Sequence, residues 1–421
     1  MTSPCARRSP ACAATSRSAL RTSTETTNSP HPGRQGESEM NDVIVDAAEI
    51  GRRTIRKSDW VACNAAFIDC RTPGSDKKEN YSFIGVGVSQ NSSQYINLTE
   101  KHGFNTGAAG MPNGISNNLH LHFTAEVFVN LGGEFRLRWG VDGKQGEYIS
   151  HDGDIISIPT WIFRGFTNEG PDDGVLYTVL GRDDTGGIIW GPSVLREAES
   201  YGLHLTADNQ LIDTVAGDVL PEDVPLITPM KQHYIDELTS YSVEEMRSRV
   251  VQPGDRRYDS HALLCTAVDG GRVDLALVIG YGMTQNRRQV PSIHEPHSFN
   301  LAWVRAEAGQ GVLRYRQQQT QALLIKSGQW EVVLNGDPAT ALRFGPGDSF
   351  SVPVGAWRSF TCVENGESGA GEVLVINGGD DRVYPEWAPE VVEAAAAADA
   401  TIDPNGYLAP LGVMVTATED D

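Results

Sequence analysis

The residue types able to do chemistry are concentrated in one run, Gly114-Ile-Ser-Asn-Asn-Leu-His120-Leu-His122-Phe-Thr-Ala-Glu126, with Gly133 further on. In an extended strand, side chains two positions apart share a face, so His120 and His122 point the same way, and Glu126, an even step along, can join them. Two imidazoles and a carboxylate on one point form a donor set for a divalent first-row metal, with positions left open for water, dioxygen or substrate. Fe(II), Mn(II), Ni(II) and Zn(II) all suit such a set.

The elements that must position these residues come from a duplication. Ile84 opens IGVGVSQNSSQ and Ile279 opens IGYGMTQNRRQ, 195 positions apart. The same spacing pairs His102 with His297, Gly114 with Gly309, Glu126 with Gln321 and Gly133 with Gly328. After a slip of one residue, Gly153, Pro159 and Arg164 meet Gly347, Pro353 and Arg358. Within each copy the apolar signal has period two, as in FVNLGGEFRLR from Phe128, and Gly, Asn or Asp breaks the runs into short strands. Short strands at regular spacing predict an all-β chain of two tandem barrels. The expected boundaries are a disordered leader and entry segment over 1–58, an N-terminal barrel over 59–200, a linker over 201–258, a C-terminal barrel over 259–395 and a tail over 396–421. A capping box at Ser242 and Glu245 predicts a short helix in the linker, and EVVEAAAAADA predicts one after the second barrel.

The spacing G-x5-HxH-x3-E-x6-G, matched by Gly114, His120, His122, Glu126 and Gly133, resembles the first signature motif of the cupin superfamily. The stretch Gly153-DIISI-Pro159-Thr-Trp161-Ile-Phe-Arg164-Gly-Phe-Thr-Asn168 is similar to the second motif, with Trp161 where glycine is usual and Arg164 where the family places its last histidine ligand. The resemblance covers both copies and implies a bicupin: two double-stranded β-helix, jelly-roll-like barrels joined by short helical linkers. It also implies a metal held by His120, His122 and Glu126, with Fe(II) expected first and Mn(II), Ni(II) or Zn(II) as alternatives. In the second copy the ligand positions carry Tyr315, Gln317 and Gln321, so that barrel is expected to bind no metal, its polar groups packed as support. Loss of metal in a Tyr315→Phe or Gln317→Ala variant would contradict this.

Arg164 cannot donate a lone pair to a metal. Two readings stand: a catalytic residue that clamps a substrate carboxylate or enolate, or a cation that pairs with Glu126 or another acid to neutralise the interior. Its recurrence as Arg358 in the copy without ligands weakens the first. Several other residues have a sharp and a bland reading. His102 and His297 are either bases beside the metal or structural hydrogen-bond partners, Trp190 and Trp387 line an entrance or pack the C-terminal extensions, and Arg136 and Arg138 form an anion site or a solvated face. His151 is a ligand only if the motif register fails, and otherwise a turn residue.

Composition narrows the partners. The 421 residues carry 55 Asp+Glu against 34 Lys+Arg, a net charge of -21, and such a surface repels nucleic acid and anionic lipid. No apolar run reaches the ~20 residues of a membrane span. The six cysteines form no CxxC pair, which suits a reducing, cytoplasmic setting. Residues 1–39, rich in Ser, Thr, Pro and Arg, lack the apolar core of a secretory signal and read as a disordered leader, an over-called start or a transit segment. The expected partner is a small-molecule substrate, and the chain is expected as a monomer or homodimer. Three functions remain open: a non-haem iron dioxygenase acting on a small oxygenated organic acid, phenol or dicarbonyl compound; a redox-neutral isomerase or decarboxylase using Mn, Ni or Zn; and a non-catalytic, metal-stabilised binding bicupin.

Overall fold

The computed structural model describes residues 42–414, so the leader expected over 1–39 and the end of the tail lie outside the described residues. Residues 42–414 fold into two sandwiches of sheets that are antiparallel but for the pair Glu79–Ile84 and Ile96–Leu98, one sandwich from each copy. The N-terminal one faces a five-stranded sheet, in the order Ile188–Trp190, Ser116–His122, Arg164–Asn168, Phe135–Trp139 and Gly146–Ser150, with a seven-stranded sheet. The latter's centre is formed by Ile155–Ile158, Glu126–Asn130, Gly174–Gly181, Phe104–Met111 and Glu79–Ile84. The second copy repeats this with a seven-stranded sheet around Gln321–Ser327, Gly371–Gly378 and Phe299–Ala306, and a five-stranded sheet around Arg358–Glu364 and Gly311–Arg316. These are the two tandem all-β barrels that the duplication predicts.

Strand character differs with what each face meets. In Phe135–Trp139 the odd residues Phe135, Leu137 and Trp139 are buried while Arg136 and Arg138 are half-buried, the alternation of a strand with one wet face. Arg136 pairs with Glu169 at 2.6 Å on that face. In Phe104–Met111 every residue is buried, because the outer face of each seven-stranded sheet packs against the other barrel. Phe83, Phe104, Val127, Val129, Tyr177 and Val179 meet Val278, Phe299, Leu301, Trp303, Leu374 and Ile376 in one apolar cluster. The equivalent residues Phe104 and Phe299 touch each other edge-on, 6.5 Å between ring centroids, on a pseudo-twofold axis.

The barrels also exchange strands. Thr54–Ile55, which leads into the first copy, pairs with Phe350 and Ser349 of the second, and Val250–Val251, which leads into the second, pairs with Ile156 and Ile155 of the first. Each lead-in thus covers the edge of the opposite barrel, an edge that would otherwise expose unpaired backbone. The stretch 42–58, grouped above with the leader, therefore carries structure: a helix Ala47–Arg53, capped by Asp46, precedes the exchanged strand. It forms because its apolar and basic residues have a surface to cover on the second barrel, a partner too distant in sequence to be read from local composition. The tail region likewise contains a hairpin of Ala400–Ile402 and Leu408–Pro410. The capping box of Ser242 and Glu245 is formed at the helix Val243–Arg247, and the Ala-rich run is the helix Pro389–Ala397.

His102 and His297 lie at the junction. His102 Nδ1 donates to the Glu100 carbonyl at 2.7 Å, and its Nε2 lies 2.6 Å from Ser351 Oγ of the second barrel. His297 repeats this with Glu295 at 2.6 Å and Ser157 of the first barrel at 2.7 Å. Arg53 and Arg249 donate to the same serines at 2.9 and 3.0 Å. Both histidines are structural, as the bland reading has it, but the bond joins the barrels and does not lie within one.

Candidate metal centre

His120 and His122 end the strand Ser116–His122 and share its inner face. The turn Phe123-Thr124-Ala125 then carries the chain out of the five-stranded sheet, and Glu126 opens a strand of the seven-stranded sheet, its Cα opposite Ile158 and Leu180. Glu126 therefore joins the histidines from the facing sheet and not, as the even-step reasoning has it, along one continuous strand. The three residues are 2, 3 and 4% exposed, and one donor atom from each lies within 4.8 Å of the others. His122 Nε2 is 3.4 Å from Glu126 Oε1, close to the ~3 Å between neighbouring donors on a metal with bonds of about 2.1 Å.

Hydrogen bonds orient the rings. His120 Nδ1 faces the Asn118 carbonyl at 2.6 Å, and His122 Nδ1 faces the Gly187 carbonyl at 3.3 Å. With the Nδ1 proton given to a carbonyl, Nε2 keeps its lone pair for a cation. Burial, with the Arg164 guanidinium nearby, holds His120 well below the ordinary histidine range, so it is neutral and ready to donate. Burial also pushes the Glu126 carboxyl up to about 8. The donor set and its geometry fit a divalent cation.

Arg164 is 1% exposed and pairs with Glu126. Its Nε donates to Glu126 Oε2 at 3.1 Å, its Nη2 to the same oxygen, and its Nη1 to the His120 carbonyl at 2.9 Å. This pairing occupies Oε2 and leaves Oε1 as the oxygen open to a metal. Trp161 adopts φ +60°, and its twin Gly355 has φ +76°. The motif's glycine position keeps its left-handed turn with a bulky residue in it, a strained choice. The Trp161 side chain is 44% exposed and sits against Phe123. Trp190 is buried against Phe67 and His120, its Nε1 donating to Gln90 at 3.0 Å, which is packing. His151 is on the surface beside Glu134.

The ligands open onto a cavity of about 40 Å³, also lined by Lys78, Asn117, Phe128, Phe166 and Ile188. Arg164 does not line it. Lys78 is 3% exposed, and its ammonium lies 2.7 and 2.9 Å from the two oxygens of Asp69 and also contacts Asn117 Oδ1. Asp69 Oδ2 in turn accepts from Asn118 N and Nδ2, both at 3.3 Å, next to the carbonyl that orients His120. These residues escaped the reading of the sequence. The signal was present in the repeat: at the equivalent places, 195 or 196 positions on, stand Val273, Cys265 and Val312.

In the second barrel the ligand positions hydrogen-bond to one another, with Arg358 Nη2 and Asn377 Nδ2 left buried and without a partner among the described residues. Tyr315 donates to Gln321 at 2.8 Å, Gln317 and Gln321 both donate to Asn377 at 2.9 Å, and Arg358 reaches Gln321 at 3.3 Å. A larger open groove of about 810 Å³ lies on that barrel. Its arginines 256 and 305 pair with Glu372 and Asp274 at 3.2 and 2.8 Å, so size alone does not make it the site.

Two duplicated barrels, with the HxH and Glu positions converging inside the first, are the arrangement that the motif implies. The chain folds as two duplicated all-β barrels in tandem. No family model and no curated protein sequence matches it. Solved structures similar to it include the oxalate decarboxylase from Bacillus subtilis, at 12% identity and TM-score 0.47 over 85% of each chain. The Lactobacillus farciminis oxalate decarboxylase formate complex has 12% identity and TM-score 0.43, over 72% of this chain and 82% of that one. The Momordica charantia 7S globulin has 9% identity and TM-score 0.45, over 80% and 86%. No helix among the described residues is long and apolar enough to cross a membrane.

Proposed function

We propose that the N-terminal barrel is a metal-dependent enzyme site for a small oxygenated organic acid, with a non-haem Fe(II) dioxygenase as the first reading. The observation that carries this is the set of two imidazoles and one carboxylate, buried together with no fourth ligand grouped with them among the described residues. A divalent iron held there would supply a Lewis-acid and redox centre with positions free for dioxygen and for paired substrate oxygens. His120 and His122 would hold it through Nε2 and Glu126 through Oε1. Arg164 is a positioning residue: by fixing Oε2 it keeps Glu126 in place and keeps it from serving as a free base. Once a cation has displaced the Glu126 proton, the Glu126–Arg164 pair is neutral in sum, so the charge of the bound cation is left uncompensated by Glu126, which favours an anionic ligand. Phe128, Phe166 and Ile188 exclude bulk water, and a space of about 40 Å³ suits a ligand of a few heavy atoms better than a phenol ring.

The same smallness supports a second reading, a redox-neutral isomerase or decarboxylase using Mn, Ni or Zn, because little room is left for dioxygen beside an organic ligand. Oxygen uptake by the metal-loaded chain with a panel of small hydroxy, keto and dicarboxylic acids separates the two. Uptake in step with substrate loss supports the dioxygenase. Substrate loss without uptake supports the redox-neutral enzyme, and no metal-dependent loss of any acid supports a binding protein stabilised by its metal.

A further inference from the structure

The duplication provides an internal control, since whatever the shared barrel needs for folding should stand in both copies. The Gln90–Trp190 bond recurs as Gln285–Trp387, the His102 clamp recurs at His297, and Arg164 recurs as Arg358. The ion pair of Asp69 and Lys78, and Asn117 beside it, do not recur. Backbone bonds fix the correspondence. Ile68 N donates to Gln90 Oε1 as Leu264 N does to Gln285 Oε1, which sets Asp69 opposite Cys265. The strands Glu79–Ile84 and Asp274–Ile279 set Lys78 opposite Val273, and the pairs Asn117–Phe166 and Val312–Phe360 set Asn117 opposite Val312. Cys265, Val273 and Val312 are 0, 3 and 0% exposed.

The second barrel thus packs this layer with apolar side chains, at no desolvation cost. The first keeps two full charges out of water at the same depth, an arrangement that well-packed apolar residues usually match or better in stability. Folding gives no reason for the pair, and its place gives another: Lys78 and Asn117 line the cavity that His120, His122 and Glu126 open onto. Resting on the metal reading above, we propose that Lys78 is the ligand-binding residue of this chamber, receiving the anionic end of a small carboxylate whose other oxygens face the metal position. Asn117 Oδ1, a neutral acceptor, holds the ammonium until the carboxylate takes its place. Asp69 is a positioning residue that keeps Lys78 charged and aimed.

The test uses the full chain loaded with Co(II), whose visible bands report ligands entering the coordination sphere, titrated with acetate and with the neutral acetamide. The variants are Asp69→Cys/Lys78→Val, which copies the packing of the second barrel at these two positions, and Asp69→Asn, which keeps Lys78 and removes the carboxylate that holds it charged and aimed. The expected result is equal Co(II) content in all three proteins, acetate binding at least tenfold weaker in the double variant and also weaker in Asp69→Asn, and acetamide binding alike in all. Equal acetate affinity in wild type and double variant overturns the proposal. So does loss of Co(II) from the double variant, which would assign the pair to building the ligand set. Should the double variant not fold, weaker acetate binding by Asp69→Asn with unchanged acetamide binding supports it and undiminished acetate binding overturns it. A wild-type chain that takes up no Co(II) ends the metal reading and this one with it, whereas one that takes up Co(II) and ignores acetate ends only this one.

Discussion

At the scale of single residues, the site is defined by what burial does to charge. Glu126 is pushed up to about 8, so the cation-free site holds a proton there at neutral pH that an entering metal must displace. Metal affinity is therefore expected to rise with pH, approaching tenfold per unit below about 8, and to level off above it. His120, already neutral, adds no further dependence near neutrality. Calorimetric titration with Zn(II) between pH 6 and 9 checks this, and a flat profile would contradict it. Arg164 stands where the motif that the sequence resembles places a last histidine ligand. Arg164→His is expected to tighten metal binding about tenfold or more, since it adds a neutral donor and removes a like charge. Unchanged or weaker binding in the same titration would mean that the side chain does not reach the ligand position. The histidines and Glu126 were legible because motif spacing survives in a linear text. The partnership of Arg164 with Glu126 was legible only as one of two options, because charge pairing depends on which side chains share an interior.

At the scale of elements, the period-two runs gave the strands, and the capping box gave the linker helix, since both are local rules. The crossing of the chain between His122 and Glu126 was not legible. A turn of three residues between two strands of opposite sheets keeps the same parity as one continuous strand. The exchanged strands at Thr54 and Val250 were missed for a related reason: two residues carry no periodicity, and their partners lie some 295 and 94 positions away in sequence. The serines at the junction follow from that exchange. Ser351 and Ser157 each serve a buried histidine and an arginine. Ser351→Ala and Ser157→Ala are each expected to cost about 1–3 kcal/mol by stranding those partners. Urea denaturation measures this, and a loss near zero in both would mean that water replaces the hydroxyl.

At the scale of the whole molecule, the two barrels share one apolar core across a pseudo-twofold axis, and each fully buried large side chain there contributes about 1.5–3 kcal/mol. Burial of this kind outweighs the polar clamps, which set the register. The clamps give the molecule a pH dependence of definite sign. Burial holds His102 and His297 below the ordinary histidine value of 6.5, so below that pH the unfolded chain binds protons that the folded one does not. Their contribution is complete above about 6.5 and is lost as pH falls, by up to about 1.4 kcal/mol per pH unit for each histidine. The His102→Gln/His297→Gln variant should lose less stability than wild type between pH 7.5 and 5.5 in urea titrations, and an equal loss would contradict the assignment.

The duplication also leaves the two barrels with different interiors, one with converging candidate ligands and one with Tyr315, Gln317 and Gln321 hydrogen-bonded among themselves and to Asn377. Elemental analysis of the purified chain tests that division most directly. Wild type is expected to carry about one divalent metal per chain, Tyr315→Phe and Gln317→Ala to carry the same, and His120→Ala, His122→Ala and Glu126→Ala to carry little or none. Metal retained by all three N-terminal variants, or lost from either C-terminal one, would contradict it.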